Sequence, residues 1–321
     1  MFMTLKRLVR LAAACALGAL LAPAQAAPWT LSGSLGTHDP NLYKTSSTWW
    51  LFETTDNGGI GVKYSSDGHA WTQGGPIFSG GLSWWKTYLP SNKTAMVWAP
   101  GCGEYNGLGY CYYAISSFGS QKSAIGLTTS AGGIAAGQWV DQGAILTSKS
   151  GDGYNAIDPA FTVAANGDTY LVFGSFWNGI HITRVSKTNL KPPAGGITNI
   201  AKDTVNGIEN GFVVHRGSWY YLFASKGACC KGASSTYYIV VGRSSSITGP
   251  YVDKNGVAML SGGGTVLASS GSRFKGPGGQ SLLADGSVMA WHAYDASNNG
   301  APVLFINNVT WGSDGWPQAV W

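Results

Sequence analysis

Short apolar or aromatic runs recur along most of the chain, separated by clusters of Gly, Ser, Asn and Asp. Examples are residues 49–52, 170–173, 219–223 and 288–291. Runs of this length that are bounded by turn residues predict strands. Apolar residues spaced at the helical period of 3.6 are nearly absent. The pattern therefore predicts an all-β chain.

The first 26 residues have a different pattern. Lys6, Arg7 and Arg10 precede an apolar run at 11–22, and Ala-Gln-Ala at 24–26 is a small-x-small cleavage site. This order predicts a secretory signal peptide over 1–26. The apolar run is shorter than the roughly 20 residues that a membrane helix needs. We therefore expect a secreted protein, extracellular or periplasmic, with one folded domain over 27–321 and no membrane partner.

A loop motif of three residues stands before five of the predicted strands, and its central residues lie 60, 59, 51 and 67 positions apart. The motif is His-Asp-Pro at 38–40, Trp-Ala-Pro at 98–100, Ile-Asp-Pro at 157–159, Ile-Glu-Asn at 208–210 and Lys-Gly-Pro at 275–277. Each interval accommodates about four strands. Repeats of this size predict a β-propeller, here with five blades. A pair of β-sandwiches is the alternative.

The repeat places Asp39, Asp158 and Glu209 at corresponding positions, where the other two units have Ala99 and Gly276. An Asp before Pro is by itself a common turn residue. The innermost strands of a propeller begin near its axis, however, so these three acidic side chains are predicted to converge. Two carboxyl groups in opposite protonation states are what glycosidic hydrolysis requires. A third can raise the pKa of the acid through like-charge repulsion.

Composition narrows the class of ligand. Charged residues make up 11% of the chain and aromatic residues 12%, and three cations of the formal net charge of +5 lie in the leader. No basic stripe indicates a nucleic-acid partner. Few charges and many aromatic rings suit a protein that binds neutral sugars. Trp84 and Trp85 are either a platform for a sugar or part of the core.

Four cysteines lie beyond the leader. Cys102 and Cys111 flank a Gly-rich turn, and we expect them to form a disulfide, which export permits. The adjacent Cys229 and Cys230 either form a vicinal bridge or stay free. The spacing of the four cysteines fits no zinc motif.

Several strings of the chain resemble glycoside hydrolase family 43, most closely its arabinanase branch. They are His-Asp-Pro at 38–40, Val-Trp-Ala-Pro at 97–100, Ser-Phe-Gly-Ser-Gln at 117–121, Asn-Ala-Ile-Asp-Pro at 155–159, Phe-Gly-Ser-Phe-Trp at 173–177 and Gly-Arg-Ser at 242–244. The resemblance implies a five-bladed propeller that hydrolyses α-1,5-linked L-arabinan with inversion. It implies that Asp39 is the general base, that Glu209 is the general acid, and that Asp158 tunes and orients the acid.

The same resemblance implies that Trp98, Asn155, Ser175 and Trp177 line the substrate cleft. Many arabinanases place a histidine after Gly-Pro-Gly that helps to hold a metal ion on the axis, whereas this chain has Gly279 there. We therefore expect no required cofactor and no metal ligand, and an axial calcium lacks its best ligand. We interpret His292 as a packed histidine.

Three functions remain open from the sequence. The first is an endo-acting arabinan endo-1,5-α-L-arabinosidase. The second is an exo enzyme of the same family, an α-L-arabinofuranosidase or β-xylosidase, which needs a loop that closes one end of the cleft. The third is a sugar-binding propeller without catalysis, which has no need for Glu209 beside two aspartates. For each of them we expect a monomer.

Overall fold

The computed structural model describes residues 27–56, 58–78, 82–90, 96–193 and 195–320, and they form five β-sheets. The first sheet has β1 (Ser32–Gly33), β2 (Asn41–Lys44), β3 (Trp49–Glu53), β4 (Gly61–Ser65) and β5 (Ala70–Gln73). The second has β6 (Trp98–Tyr105), β7 (Leu108–Ile115), β8 (Ser123–Ala131) and β9 (Trp139–Ser148). The third has β10 (Ala160–Val163), β11 (Thr169–Phe173), β12 (Ile180–Arg184) and β13 (Thr198–Ala201).

The fourth sheet has β14 (Ile208–Arg216), β15 (Trp219–Lys226), β16 (Tyr238–Ser244) and β17 (Thr265–Ala268). The fifth has three strands, β18 (Phe274–Leu282), β19 (Val288–Asp295) and β20 (Ala301–Asn308). Short 3₁₀ turns occur at Trp85–Thr87, Ile134–Ala136, Gly232–Ser234 and Met259–Ser261. Within the described ranges there is no α-helix, and hence none that could cross a membrane.

The five sheets are the blades of a propeller. Strands β2, β6, β10, β14 and β18 are innermost, and each contacts the next, with β18 returning to β2. This closed ring confirms the five-bladed propeller and excludes a pair of sandwiches. The predicted signal peptide lies outside the described residues.

The last blade is completed by the N-terminal segment of the folded chain. Gly36 bridges Val303 of β20 in antiparallel fashion, and Trp29 N–H donates to Ile306 O at 2.8 Å. The same segment pairs with blade 1, because β1 runs parallel to β5. One segment therefore ties the first blade to the last, which leaves neither blade with a free edge there.

The hydrophobic core is divided among the five contacts between neighbouring blades. Each blade has apolar side chains on both faces, and each face packs on the next blade, as strands with buried residues on both sides require. Between blades 1 and 2, for example, Phe52 and Val62 pack with Tyr113. The equivalent clusters between the other blades include Leu171, Leu222, Trp291 and Leu304. These contacts hold the blades around the axis and so position the site.

The structure shows how the four cysteines pair and where Trp85 lies, which the sequence left open. Cys102 and Cys111 are directly opposite each other on β6 and β7 and form the predicted disulfide. Cys229 and Cys230 form a vicinal disulfide. Trp85 is buried in the core between blades 1 and 2.

Its neighbour Trp84 is half-buried, and its indole N–H donates to Asp141 Oδ2 at 2.9 Å. Trp85 is therefore part of the core, whereas Trp84 packs against the same cluster and stays partly exposed.

Candidate active site

Five residues with left-handed backbone surround the propeller axis, one just before or inside each innermost strand. They are Asp39 (φ 50°), Ala99 (φ 37°), Asp158 (φ 56°), Asn210 (φ 51°) and Gly279 (φ 61°). All five line one small cavity on the axis. The position equivalent to Asp39 and Asp158 is therefore Asn210 in blade 4 and Gly279 in blade 5. The sequence alignment of the repeats, which used Glu209 and Gly276, was wrong by one and three residues.

Irregular pairing explains the error. The register of β14 against β15 shifts between Glu209 and Phe212, and that of β18 against β19 shifts on both sides of Gly278. Extra residues in one strand change which side chain faces the axis. Asp39 and Asp158 line the axial cavity, whereas Glu209 does not. The structure nevertheless brings the three predicted carboxyl groups together, since Glu209 and Asp39 both raise the pKa of Asp158 and Asp39 also raises the pKa of Glu209.

Glu209 lies at the junction of blades 3 and 4 and is 8% exposed. Its backbone bridges Ser175, whose hydroxyl donates to Glu209 Oε2 at 2.5 Å, and the Tyr237 hydroxyl donates to Oε1. Burial raises the pKa of Glu209 to about 7. The Ser175 hydroxyl opposes this rise, and the negative charge of Asp39 adds to it. Glu209 therefore keeps its proton in mildly acidic solution, as a general acid must.

Asp39 has the opposite protonation. Burial alone would raise its pKa, but His38, His292 and Thr54 together outweigh burial and hold the pKa of Asp39 well below its usual value. His38 Nδ1 and Thr54 Oγ1 both bond Asp39 Oδ2, at 2.9 and 2.7 Å. The carboxylate is thus ionised at neutral and mildly acidic pH, which suits a base.

Asp158 is coupled to Glu209. Burial raises the pKa of Asp158 well above its usual value, and repulsion from Glu209 and Asp39 adds to the rise. One hydrogen bond, from Asn210 N–H to Asp158 Oδ2 at 3.1 Å, opposes it. The repulsion is mutual, so the protons belong to the pair of carboxyl groups rather than to either one.

Two histidines and a tyrosine form a closed hydrogen-bonded circuit with Asp39. Asp39 N–H donates to His292 Nδ1 at 3.2 Å, and His292 Nε2 lies 3.3 Å from the Tyr294 hydroxyl. That hydroxyl lies 2.7 Å from His38 Nε2, and His38 Nδ1 returns to Asp39 Oδ2. Because a backbone N–H only donates, His292 Nδ1 must accept, which places the proton of a neutral His292 on Nε2. Cys230 N–H also donates to the Tyr294 hydroxyl, at 2.8 Å.

The circuit bears on the metal ion that the resemblance raised. His38, Asp39 and His292 each offer a ligand atom, all within 4.8 Å of one another. However, all four imidazole nitrogens already have a protein partner. A Cβ at Gly279 would lie 2.7 Å from both His292 Nδ1 and Asp39 Oδ1. The residues as they stand do not fit a metal ion, and His292 takes the space that a side chain at 279 would need.

Gln280 does not supply a ligand in its place. Its Oε1 accepts from Ser225 Oγ at 2.8 Å, and its Nε2 donates to Asn210 O at 2.7 Å. Both ends of the side chain therefore connect blades 4 and 5. His292 is fully buried, as expected of a packed histidine, but it packs against the carboxylate predicted to be the base.

The four residues predicted to line the cleft differ in what they can contact. Trp177 is 42% exposed and Trp98 is half-buried. Asn155 is buried, and its Oδ1 accepts from Ser123 Oγ at 2.7 Å. Ser175 is also buried and donates to Glu209. Trp177 is therefore accessible to a substrate and Ser175 supports Glu209 from within, whereas Asn155 bonds Ser123 instead of the carboxyl groups.

Sequence reasoning missed Thr54, Tyr237 and Tyr294. Thr54 Oγ1 donates to Asp39 and accepts from Ala99 N–H at 2.9 Å, so it links two blades at the axis. Each of these residues lies on a different strand or loop from the carboxyl group or histidine that it hydrogen-bonds, so the sequence does not show the contact. One signal was available in the sequence, because the glycines at 278 and 279 leave room for the rings of Tyr237 and His292.

A five-bladed propeller that gathers three carboxyl groups at one end of its axis, one ionised and two favouring the protonated form, defines a glycoside hydrolase of the propeller class. The chain belongs to glycosyl hydrolases family 43, whose model matches residues 33–317.

Three known proteins illustrate the similarity. An extracellular endo-α-(1→5)-L-arabinanase of Bacillus subtilis is 46% identical over 92% of this chain and 91% of its own length. An extracellular exo-α-(1→5)-L-arabinofuranosidase of Cellvibrio japonicus is 36% identical over 88% of this chain and 85% of its own. The solved structure of an endo-arabinanase from Bacillus licheniformis is 46% identical and superimposes with a TM-score of 0.86 over 90% of this chain and 99% of its own.

Proposed function

We propose that this protein is an inverting, endo-acting arabinan endo-1,5-α-L-arabinosidase. One observation carries the proposal: two carboxyl groups in one site favour opposite protonation states, Asp39 ionised and Glu209 protonated. That difference is what divides the work of glycosidic hydrolysis between a base and an acid. The arabinanases among the relatives support arabinan as the substrate.

Each carboxyl group has one step. Glu209 gives its proton to the glycosidic oxygen as the bond to the anomeric carbon breaks. A water molecule attacks that carbon from the opposite side, and Asp39 accepts the proton that the water loses. At the end of the cycle Glu209 is ionised and Asp39 protonated, so one proton must return through solvent. Asp158, whose titration is coupled to that of Glu209, is the residue that we propose tunes and orients the acid.

Exposed aromatic rings lie at the same end of the propeller as the carboxyl groups. Phe118 is 82% exposed, Phe176 40% and Trp177 42%. They belong to the loops that follow β7 and β11, whose last residues pair with the beginnings of β6 and β10. Apolar rings facing solvent suit the C–H faces of a neutral sugar chain. We assign the sugar-binding surface to blades 2 and 3 on this ground.

Product analysis tests the mode of action. Purified protein acting on linear arabinan should release a spread of oligomers that shortens with time. The exo-acting Cellvibrio relative makes release of a single short product the competing outcome. No product from arabinan, xylan or aryl arabinofuranosides would refute the enzyme and favour a sugar-binding propeller.

Two variants test the roles. Glu209→Gln should lose orders of magnitude in turnover while still binding arabinan, and near-normal turnover would remove its role as acid. Asp39→Ala with added azide should give no product of retained configuration, because a base forms no covalent intermediate. A retained azide product would require a covalent glycosyl-enzyme intermediate formed by another group, and it would refute the inverting mechanism. Proton NMR of the first product formed by the wild type reports inversion directly.

Three further properties complete the proposal. The predicted leader and the extracellular relatives support secretion, and fractionation of a producing cell separates periplasm from medium. We propose that the enzyme is a monomer, which size-exclusion chromatography with light scattering tests. We also propose that it requires no metal, because the ring nitrogens of His38 and His292 are already hydrogen-bonded to other groups of the chain.

A further inference from the structure

The carboxyl group of Glu209 is held at both oxygens by hydroxyl groups from two different blades. Ser175, in the loop that follows β11, bonds Oε2, and Tyr237, which precedes β16, bonds Oε1. Two anchors at the two oxygens fix the plane of the carboxyl group, which a single anchor would leave free to rotate about its last side-chain torsion. The direction in which its proton points is thereby set before substrate arrives.

Tyr237 is placed for this contact by the chain around it. The side chain is 3% exposed. Its ring lies against Gly278 of blade 5, where an added Cβ would stand 2.1 Å from Tyr237 Cδ2. The fifth blade therefore leaves a space that the ring fills, and from there the Tyr237 hydroxyl reaches Glu209 of its own blade.

A hydroxyl group can form a hydrogen bond with Glu209 in both the protonated and the ionised state of the acid. It donates to the carboxylate after the proton has left, and it can accept while the carboxyl group is protonated. A phenyl ring in its place would fill the same space but could do neither. The hydroxyl, rather than the ring, is therefore the part of Tyr237 that acts on the reaction.

We propose that Tyr237 is a positioning residue for proton donation by Glu209, acting through its hydroxyl on Oε1. This inference rests on the proposed function, in which Glu209 is the acid. Positioning of the acid matters most when the leaving group needs its proton. A sugar alcohol needs it, whereas a nitrophenolate leaves without it.

The charged and titratable groups around Glu209 and Tyr237 come from three other blades. Asp39 and His38 precede β2, Asp158 precedes β10, and Tyr294 is on β19. None of these is altered by replacing Tyr237 with phenylalanine. Loss of the hydroxyl removes a hydrogen bond that favours the ionised carboxylate, so the basic limb of the pH profile moves to higher pH.

The test compares Tyr237→Phe with the wild type on two substrates. They are linear arabinan and the 4-nitrophenyl glycoside of an α-1,5-linked arabinotriose. Loss of one hydrogen bond to a charged group predicts a fall in kcat on arabinan of about 10- to 100-fold. The fall on the nitrophenyl glycoside should stay below about threefold, and KM should change little on either.

The matched control is Tyr251→Phe, in the same blade. Tyr251 is fully buried, and its hydroxyl donates to Ile247 O at 2.8 Å, so the change deletes one buried hydrogen bond away from the site. It should leave the ratio of the two activities and the pH profile unchanged. A second variant, Gly278→Ala, displaces the Tyr237 ring without removing it and should give the same leaving-group signature as Tyr237→Phe.

Equal losses on both substrates, or an unmoved pH profile, would overturn the positioning role. Glu209→Gln is measured in parallel so that the two failures can be separated. If Glu209→Gln loses arabinan hydrolysis and spares the nitrophenyl glycoside while Tyr237→Phe does not discriminate, only the inference about Tyr237 fails. If Glu209→Gln does not discriminate either, the proposed acid is wrong.

Discussion

Above neutral pH the ionised carboxylate of Glu209 should destabilise the folded protein, and replacement of Glu209 by glutamine should remove this destabilisation. Its pKa in the folded protein is about 7, against 4.5 for an ordinary glutamate. The folded state therefore holds its proton more tightly than the unfolded state. Stability attributable to this group is fully present below about pH 4.5 and is lost as the pH rises through about 7. At about 1.4 kcal/mol per pKa unit, the loss amounts to about 3 kcal/mol.

Glu209→Gln keeps the shape of the side chain and carries no charge at any pH. Urea unfolding should show the variant about 3 kcal/mol more stable than the wild type at pH 8.5, and within about 1 kcal/mol of it at pH 4.5. The matched control is Glu104→Gln, whose carboxylate accepts from Ile134 N–H at 2.7 Å in blade 2. That variant should gain nothing at high pH. If Glu209→Gln is no more stable than the wild type at pH 8.5, the buried-acid argument is refuted.

Three other perturbations follow from the geometry. Gly279→Ala should lower the free energy of unfolding by about 1–3 kcal/mol in urea melts and reduce kcat, because its φ is 61° and a Cβ would lie 2.7 Å from His292 Nδ1. Gly217→Ala, at φ 58° with open space around it, should show the backbone cost alone and normal kcat. Dialysis against EDTA should leave activity and Tm unchanged, and a loss that Ca²⁺ restores would contradict the metal argument. Replacing Cys102 and Cys111 with serine should lower the unfolding free energy by about 3 kcal/mol at nearly constant kcat, measured by urea melts and initial rates.

Much of the fold was predictable because patterns within short stretches of the sequence determine it. Alternation of apolar runs with Gly- and Asp-rich turns marks strands wherever they occur, and the recurrence of one loop motif indicates how many blades there are. Cys102 and Cys111 were predictable for the same reason, since one short turn brings them opposite each other on β6 and β7. The three carboxyl groups could be found from the sequence because Asp39 and Asp158 match the loop motif and Glu209 lies one residue from the matching position in blade 4.

The detailed alignment of the repeats was not predictable, because a bulge leaves no clear mark in a sequence. Asp39 and Asp158 both stand before proline, so the motif identifies them. In blade 4 the residue with left-handed backbone is Asn210, and the motif was matched one residue too early. Asparagine is among the residues that tolerate this backbone, which was the available signal. The sequence left the roles of Trp84 and Trp85 open for another reason, since their exposure depends on packing between blades 1 and 2.

The one-residue offset explains how similar carboxyl groups come to favour opposite protonation states. Asp39 occupies the ring around the axis and meets two imidazoles and the Thr54 hydroxyl, whose charges and hydrogen bonds favour the ionised form. Glu209 stands outside that ring, where its hydrogen-bond partners are the neutral hydroxyls of Ser175 and Tyr237. Burial therefore dominates its pKa. The bulge that obscured the repeat in blade 4 is thus what separates the proposed acid from the proposed base.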